Sequence, residues 1–223
     1  MSATAPNLRL YGYWRSSSTW RVRIALDWKG LAYDYHPLAL VKAGGGEHKS
    51  EAYTRINPMQ EVPVLEFPHG GRLERLSQSL AIVDYLERLR PDPALIPADP
   101  LRAAQARQLA EIINAGTQPL QNHGVLVRVR ELGGDEQVWA RTFIERGLAA
   151  LEQVAGGTAG KFLVGDAVSI ADLCLIPQLF NARRYGASIS AFGTLLRVEN
   201  LCLSLPAFVD THPDRQPDAP KAS

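Results

Sequence analysis

Four consecutive hydroxyl side chains, Ser16 to Thr19, follow Arg15 near the start of the sequence. They lie where the short apolar run Leu8–Tyr13 gives way to a helical pattern. Backbone amides at the start of a helix are unpaired and the helix dipole is positive there, so this junction suits an anion or a thiolate. Helix capping needs only one hydroxyl. Capping alone and an anion or thiolate site are therefore both open interpretations of this run.

Two further positions combine unusual backbone chemistry with polar groups. Pro63 lies inside the strand-like run Val62–Phe67, and since proline cannot donate to a sheet it belongs at an edge or at the start of a strand. A cis Val62–Pro63 bond would turn the Val62 backbone toward a ligand, although only about 5–6% of such bonds are cis. Gln78 and Ser79 precede another helix, where Ser79 either caps the helix or offers its hydroxyl to a ligand.

Five common nucleotide-binding, metal-binding and catalytic motifs are absent from the sequence. It contains no Walker A run, no G-x-G-x-x-G, no H-E-x-x-H, no C-x-x-C and no G-x-S-x-G, and the five histidines show no metal-ligand spacing. Ser169 and Asp172 have the spacing of a capping box, with Asp in place of Glu, before an apolar helix. We interpret that pair as structural, with no contact to a substrate.

The elements that must position these residues fall into two groups. Strands are expected at Leu8–Tyr13, Tyr33–Leu38, Val62–Phe67 and Arg72–Leu76, with helices after Ser16 and over Gln78–Leu89. The glycine-containing segment Lys42–His48 is expected to be a mobile loop. Four prolines in residues 91–100 break this pattern, and later segments read as helices: Leu101–Gly116, Gln137–Val154, Ile170–Tyr185 and Thr194–Leu203.

The pattern therefore predicts an α/β lobe over residues 1–90, a proline-rich linker over 91–100 and an all-helical lobe over 101–223, with a tail lacking regular structure.

The chain has 223 residues and ordinary globular composition, with 46% hydrophobic and 21% charged residues. Lys and Arg (24) nearly balance Asp and Glu (23), which argues against a nucleic-acid partner. No apolar run reaches the roughly 18 residues of a membrane span, and no signal peptide is evident. Cys174 and Cys202 lie in apolar surroundings and are expected to be buried free thiols, which favours a cytoplasmic protein.

Six segments in order resemble the zeta-class glutathione transferases, the family of the maleylacetoacetate isomerases. They are RSSSTWRVRIAL (15–26), NPMQEVPVLEF (57–67), SQSLAIVDYLE (77–87), NAGTQPLQNHGVL (114–126), VGDAVSIADLCLIPQ (164–178) and HPDRQPDAP (212–220). The resemblance implies a thioredoxin-like N-terminal lobe and an all-α C-terminal lobe, glutathione as cofactor and a homodimer. It also implies isomerisation of a small dicarboxylate, maleylacetoacetate, to fumarylacetoacetate in tyrosine and phenylalanine catabolism, with glutathione transferase side activity.

The resemblance also assigns residues. Ser17 is implied as the hydroxyl that faces the glutathione sulfur, and Ser16 belongs to the same catalytic loop. Arg15 and Arg184 resemble arginines that receive the carboxylates of the substrate. Since neighbouring helical residues point about 100° apart, only one of Arg183 and Arg184 is expected to point into the site. Glutathione-binding positions are implied at Ser16, Ser17, Ser18, Thr19, Trp20, Arg21, His48, Val62, Pro63, Gln78, Ser79, Gln118, Asn122, His123 and Gly124.

Several positions depart from the family pattern. Ser18 stands where the family usually has cysteine, His48 where it has glutamine and Ser77 where it has histidine. The rival functions are a maleylpyruvate isomerase or another glutathione transferase of small unsaturated or α-halo acids, and a non-catalytic binding module. A thiol oxidoreductase would need a cysteine in the loop, which Ser16–Ser18 do not supply.

Overall fold

Four strands form one mixed sheet in the N-terminal part of the chain. The structure is a computed structural model that describes residues 7–41 and 46–220, so part of the glycine segment predicted as a mobile loop lies outside the described residues. The strands are arranged in the order β2-β1-β3-β4, with β1 parallel to β2 and antiparallel to β3, and with β3 antiparallel to β4. Their bounds are Leu8–Gly12 (β1), Tyr33–Pro37 (β2), Val64–His69 (β3) and Arg72–Ser77 (β4). This confirms the four strands that the sequence pattern predicts.

Helices α1 (Ser17–Trp28), α2 (Glu51–Thr54) and α3 (Ser79–Leu89) accompany the sheet. The core is formed by apolar side chains with no exposed surface: Leu10, Val22, Ile24, Leu26, Val64, Leu65, Ile82, Val83 and Leu86. Strand β3 begins at Val64 and not at the predicted Val62. Pro63 explains the delay, because its ring nitrogen has no hydrogen for the sheet ladder.

Five helices form a second unit, which contains Ala94–Leu205. They are α4 (Pro100–Asn114), α5 (His123–Glu131), α6 (Glu136–Ala155), α7 (Ile170–Arg184) and α8 (Gly193–Cys202), with a 3₁₀ turn at Gln118–Gln121. The pattern of the sequence did not predict α5, a short helix in which Leu126 is the one buried residue. None of the described helices is both long and apolar enough to cross a membrane.

The C-terminal segment belongs to the first unit, where it begins with α9 (Pro206–Asp210) and a 3₁₀ turn at Pro213–Arg215. The sequence pattern assigned all of 101–223 to the helical lobe, and the described residues from Pro206 onward correct that boundary. In the tail from His212, the 3₁₀ turn is the one regular element among the described residues, which otherwise agree with the expected lack of regular structure. Two side chains of α1 hold this segment. Trp20 Nε1 donates to Thr211 Oγ1 at 3.0 Å, and Arg23 Nε donates to the Thr211 carbonyl at 3.2 Å.

Candidate active site

Three connections of the first unit meet at one edge of the sheet. Tyr11 of β1 is opposite Val64 of β3, and Val64 is opposite Ser77 of β4. Because β3 runs antiparallel to both neighbours, the end of β1, the start of β3 and the end of β4 lie side by side. The serine run, the Val62–Pro63 bond and Gln78-Ser79 are thereby brought to the same edge, although they are distant in sequence.

The three serines have different hydrogen-bonding positions. Ser16 is the N-cap of α1, and its Oγ accepts a hydrogen bond from the Thr19 amide at 3.2 Å. Ser17 is the first residue of the helix, and its half-buried hydroxyl has no hydrogen-bond partner among the residues that the structure describes. Capping therefore accounts for Ser16 but not for Ser17. The Ser17 hydroxyl can donate to an anion at the positive end of α1.

The next residues of α1 support the loop from the core. Thr19, Trp20 and Arg21 are buried. The Trp20 backbone amide donates to the Ser16 carbonyl, and the Trp20 indole N–H donates to Thr211 Oγ1. The Trp20 ring also meets the His212 ring edge-on, with centroids 5.1 Å apart. The structure thus gives the side chains of Thr19 and Trp20 a packing role, and their implied part in binding glutathione stays a prediction.

The Val62–Pro63 peptide bond is cis, as the resemblance implied. Neither the amide nor the carbonyl of Val62 forms a backbone hydrogen bond within the described chain. Each backbone group normally has a partner, so a peptide with both groups unused beside the serine loop can pair with an extended ligand.

Gln78 and Ser79 carry the third connection. Gln78 is the N-cap of α3 with φ at 70°, a left-handed backbone conformation that is costly for a residue with a side chain and that is common at functional sites. Ser79 is the first helical residue and not the cap, so the capping interpretation of Ser79 is wrong. Its buried Oγ accepts from Arg21 Nη1 at 3.1 Å, which leaves the hydroxyl hydrogen available as a donor.

In the second unit, a chain of side-chain amides fixes the segment that contains Gln118. Gln121 Nε2 donates to Gln178 Oε1 at 2.7 Å, and Asn181 Nδ2 donates to Gln121 Oε1 at 2.5 Å. This chain ties the 3₁₀ turn to α7. Asn122 is the N-cap of α5 without a side-chain capping bond, and His123 and Gly124, both exposed, open that helix.

Arg183 and Arg184 have different partners, since neighbouring helical residues point in directions about 100° apart. Arg183 forms a bidentate ion pair with Glu199, at 2.5 and 2.6 Å, although Glu199 is only 5% exposed. This carboxylate holds the pKa of Arg183 above its ordinary value. Arg184 is exposed, stacks on the Tyr185 ring at 4.8 Å and makes a weak contact of 3.5 Å with Asn181 Oδ1. Arg184 is thus the arginine of this pair without a carboxylate partner among the described residues.

The capping box at the start of α7 is confirmed. Asp172 Oδ2 accepts from the Ser169 amide at 2.8 Å, and Oδ1 accepts from the Leu163 amide at 3.0 Å. Asp172 is completely buried, and this burial raises its pKa to about 6 despite the bonds that stabilise its charge. All of its partners are structural groups of the second unit.

Comparison with known proteins decides the family. Residues 10–94 match the N-terminal domain of glutathione S-transferases, and residues 125–213 match their C-terminal domain. Maleylacetoacetate isomerase of Rattus norvegicus is 45% identical over 95% of this chain and 94% of its own length. The crystal structure of maleylacetoacetate isomerase from Anaeromyxobacter dehalogenans, with glutathione bound in its active site, is 50% identical, with a TM-score of 0.88 and coverage of 97% and 99%. A maleylpyruvate isomerase described as a zeta-class glutathione transferase is 34% identical, with a TM-score of 0.87 and coverage of 95% and 100%.

The chain belongs to the zeta-class glutathione transferases, the family of the maleylacetoacetate isomerases. The fold that the resemblance implied is thereby confirmed. This zeta-class chain also carries two features that motif reading missed. One is α5, whose start at Asn122 could have been found from the capping residue alone. The other is a hydrogen bond from the Trp14 amide, just before the serine run, to Asp218 Oδ2 of the C-terminal segment at 2.8 Å, for which the sequence contains no local signal.

His48 is the least defined of the implied zeta-class positions. It lies in a 3₁₀ turn, Glu47–Lys49, and is half-buried, directly after the segment that lies outside the described residues. Its role in binding glutathione stays a prediction.

Proposed function

We propose that this chain is a glutathione-dependent isomerase that converts maleylacetoacetate to fumarylacetoacetate in the breakdown of tyrosine and phenylalanine. The observation that carries the proposal is the Ser17 hydroxyl, which lies at the N-terminus of α1 and has no hydrogen-bond partner among the described residues. The near full-length similarity to maleylacetoacetate isomerases supports the choice of substrate.

The residues of the first unit fit glutathione. Extended peptides pair with unused backbone groups, and Val62 offers both its amide and its carbonyl. A carboxylate is favoured at a helix N-terminus, and Gln78 and Ser79 stand at the start of α3 with the Ser79 hydroxyl free to donate. We assign the cysteinyl backbone of glutathione to Val62, its γ-glutamyl carboxylate to Gln78-Ser79 and its sulfur to Ser17.

When bound, glutathione supplies a thiolate whose reversible addition to the cis double bond leaves a single bond that can rotate. A thiol of ordinary pKa, about 8.5, is only a few per cent ionised at neutral pH. Lowering that pKa by about two units takes roughly 2.7 kcal/mol of preferential stabilisation of the anion. The Ser17 hydroxyl and the N-terminus of α1 are the groups that we assign to this task, since aligned donors act strongly on charge in a partly dry site.

The substrate is a dianion, and we assign its carboxylates to Arg15 and Arg184. The Arg15 guanidinium stacks 5.2 Å from the centre of the Trp14 ring, directly before the serine run. Arg184 is exposed without a carboxylate partner among the described residues, whereas Arg183 is committed to Glu199. Guanidinium groups bind carboxylates with directional, charge-assisted hydrogen bonds, and these hold the substrate in place.

We further propose that the protein acts as a homodimer in the cytoplasm and has side activity as a glutathione transferase. Cys174 and Cys202 are buried free thiols, which is usual in a reducing compartment. Size-exclusion chromatography with light scattering tests the dimer, and conjugation of glutathione to a small α-halo acid tests the side activity.

The decisive experiment follows isomerisation of maleylacetoacetate optically with and without glutathione, and compares maleylpyruvate under the same conditions. The proposal expects turnover that requires glutathione, with a higher kcat/KM for maleylacetoacetate. Maleylpyruvate is the second candidate, because a maleylpyruvate isomerase shares the fold at a TM-score of 0.87. A higher kcat/KM for maleylpyruvate would reverse the assignment, and glutathione-independent turnover would refute both.

A further inference from the structure

The C-terminal segment lies against the turn that carries the serine loop. This turn joins β1 to α1 and is closed by a hydrogen bond from the Ser16 amide to the Tyr13 carbonyl at 3.0 Å, so Trp14 and Arg15 are its central residues. The Trp14 amide donates to Asp218 Oδ2 at 2.8 Å. A carboxylate near the end of the described chain therefore binds the backbone only three residues before Ser17.

A second contact holds the other side of the same residue. Arg23 Nη2 donates to the Trp14 carbonyl at 2.9 Å, while Arg23 Nε donates to the Thr211 carbonyl of the C-terminal segment at 3.2 Å. Arg23 is buried, and this burial lowers its pKa. Both backbone polar groups of Trp14 are thus occupied, one by Asp218 and one by a guanidinium that also binds the C-terminal segment.

Asp218 also has a second donor. The Tyr35 hydroxyl of β2 donates to Asp218 Oδ2 at 3.4 Å, and burial raises the pKa of Tyr35, so the phenol stays protonated at neutral pH. The carboxylate connects β2 with the turn, and hydrogen bonds to an ionised acceptor are about twice as strong as neutral ones.

We propose that Asp218 is a positioning residue for catalysis: it fixes the Trp14–Arg15 turn and thereby sets where the Ser17 hydroxyl and the Arg15 guanidinium point. The Arg15 guanidinium stacks on the Trp14 ring, so a displaced turn moves both groups. The inference rests on the proposed function of Ser17 and Arg15. It gives the C-terminal segment a part in the reaction, although Asp218 itself contacts neither glutathione nor substrate.

The test compares Asp218→Ala with Asp214→Ala, a control in the same segment whose side chain is 69% exposed, with its Oδ2 3.6 Å from His212 Nδ1. Because displacement of a reacting group by about 1 Å costs up to about 100-fold, Asp218→Ala is expected to lower kcat by about 10- to 100-fold. It is also expected to raise the pKa of the bound glutathione thiol, measured by the ultraviolet absorbance of the thiolate against pH. Asp214→Ala is expected to leave both quantities unchanged, and Asp218→Asn, which keeps an acceptor oxygen, to recover most of kcat.

A double variant separates positioning from general destabilisation. If Asp218 acts through Ser17, then Asp218→Ala adds much less than its full effect in a Ser17→Ala background. The same factor in both backgrounds, or a thiol pKa that does not move in Asp218→Ala, would overturn the inference. Should Asp218→Ala fail to fold, Asp218→Ser, whose hydroxyl is one bond shorter than the Asp218 carboxylate and so loses its reach to the Trp14 amide, is measured instead, and a thiol pKa unchanged to within the error of the titration overturns the inference. If Ser17→Ala keeps full activity, the proposed function of Ser17 fails, and the thiol pKa of the Asp218→Ala complex decides the inference by itself.

Discussion

The adjacent hydroxyls of Ser16 and Ser17 provide a sharp test of the site, because they are chemically identical and one residue apart. Ser16 Oγ is used by the Thr19 amide, whereas Ser17 Oγ has no partner among the described residues. Replacing each by alanine should therefore separate folding from chemistry. Ser16→Ala removes a helix cap, and Ser17→Ala removes a donor to the thiolate.

The magnitudes follow from these contacts. Loss of an N-cap hydroxyl costs about 1 kcal/mol of unfolding free energy, which in a chain of this length lowers Tm by about 2–4 °C. Ser17→Ala breaks no hydrogen bond of the protein and should leave stability within about 0.5 kcal/mol. In turnover the order reverses, because removal of one aligned donor costs about 2.7–4 kcal/mol, a factor of roughly 10² to 10³ in kcat. Ser18→Ala is expected to lower kcat less than Ser17→Ala does.

The assay measures initial rates of maleylacetoacetate isomerisation at saturating glutathione, together with thermal unfolding of the same samples. The glutathione KM of Ser17→Ala should change little, since the contacts that we propose for Val62 and Gln78-Ser79 with the rest of the tripeptide are unchanged. A larger loss of kcat in Ser16→Ala or Ser18→Ala than in Ser17→Ala would refute the reasoning and move the sulfur by one residue.

Three further predictions test the second unit. Arg184→Ala should raise the KM for maleylacetoacetate roughly tenfold without changing glutathione affinity. Arg183→Ala should leave both constants unchanged but lower the unfolding free energy by about 1–3 kcal/mol, because it leaves a buried glutamate unpaired. Equal kinetic effects of the two variants would contradict the assignment. Asp172 is protonated more readily in the folded chain (pKa about 6) than when unfolded (3.8), so folding binds a proton between these values. Relative to Asp172→Asn, parent stability in denaturant titrations should therefore fall by about 2 kcal/mol as the pH rises from about 4 to about 6, and a rise over that range would be inconsistent with the burial argument. Gly147→Ala should lower Tm, because a Cβ there would collide with the threonine that directly precedes the Gln118 turn. Gly193→Ala should not lower Tm, because a Cβ there has no atom within 4 Å. Equal Tm values for the two variants would show that the Gln118 turn can move to accommodate the added methyl group.

Much of the fold could be predicted because its signals are local. Strand β1 and helix α3 follow the alternation and the helical spacing of their apolar residues, and the Ser169–Asp172 capping box marks the start of α7. Helix α5 was missed because it is only nine residues long, so its apolar residues repeat over little more than two turns. The place of the C-terminal segment depends on Thr211 and Asp218 finding partners about 190 or more residues away, which no local pattern encodes.

The backbone features of the candidate site were only partly predictable from the sequence. The cis bond at Val62–Pro63 has too low a frequency to be inferred from one proline, and only the resemblance indicated it. The sequence pattern allowed Ser79 to be a cap, and its position inside the first turn depends on the left-handed backbone of Gln78. Both features belong to the backbone conformation at the sheet edge, which tertiary contacts determine.

The candidate site contains two pairs of identical neighbouring residues, and the sequence alone could not decide which member of each pair is available for the reaction. Ser16 and Ser17, like Arg183 and Arg184, are identical neighbours on or beside a helix, and about 100° of rotation separates one from the next. In each pair one residue is committed to the fold, Ser16 as a cap and Arg183 to Glu199, while the other has no such commitment. The structural partner fixes the backbone from which its neighbour projects. The partner of each residue, which only the structure reveals, therefore distinguishes the member of each pair that supports the fold from the member that we propose for the reaction.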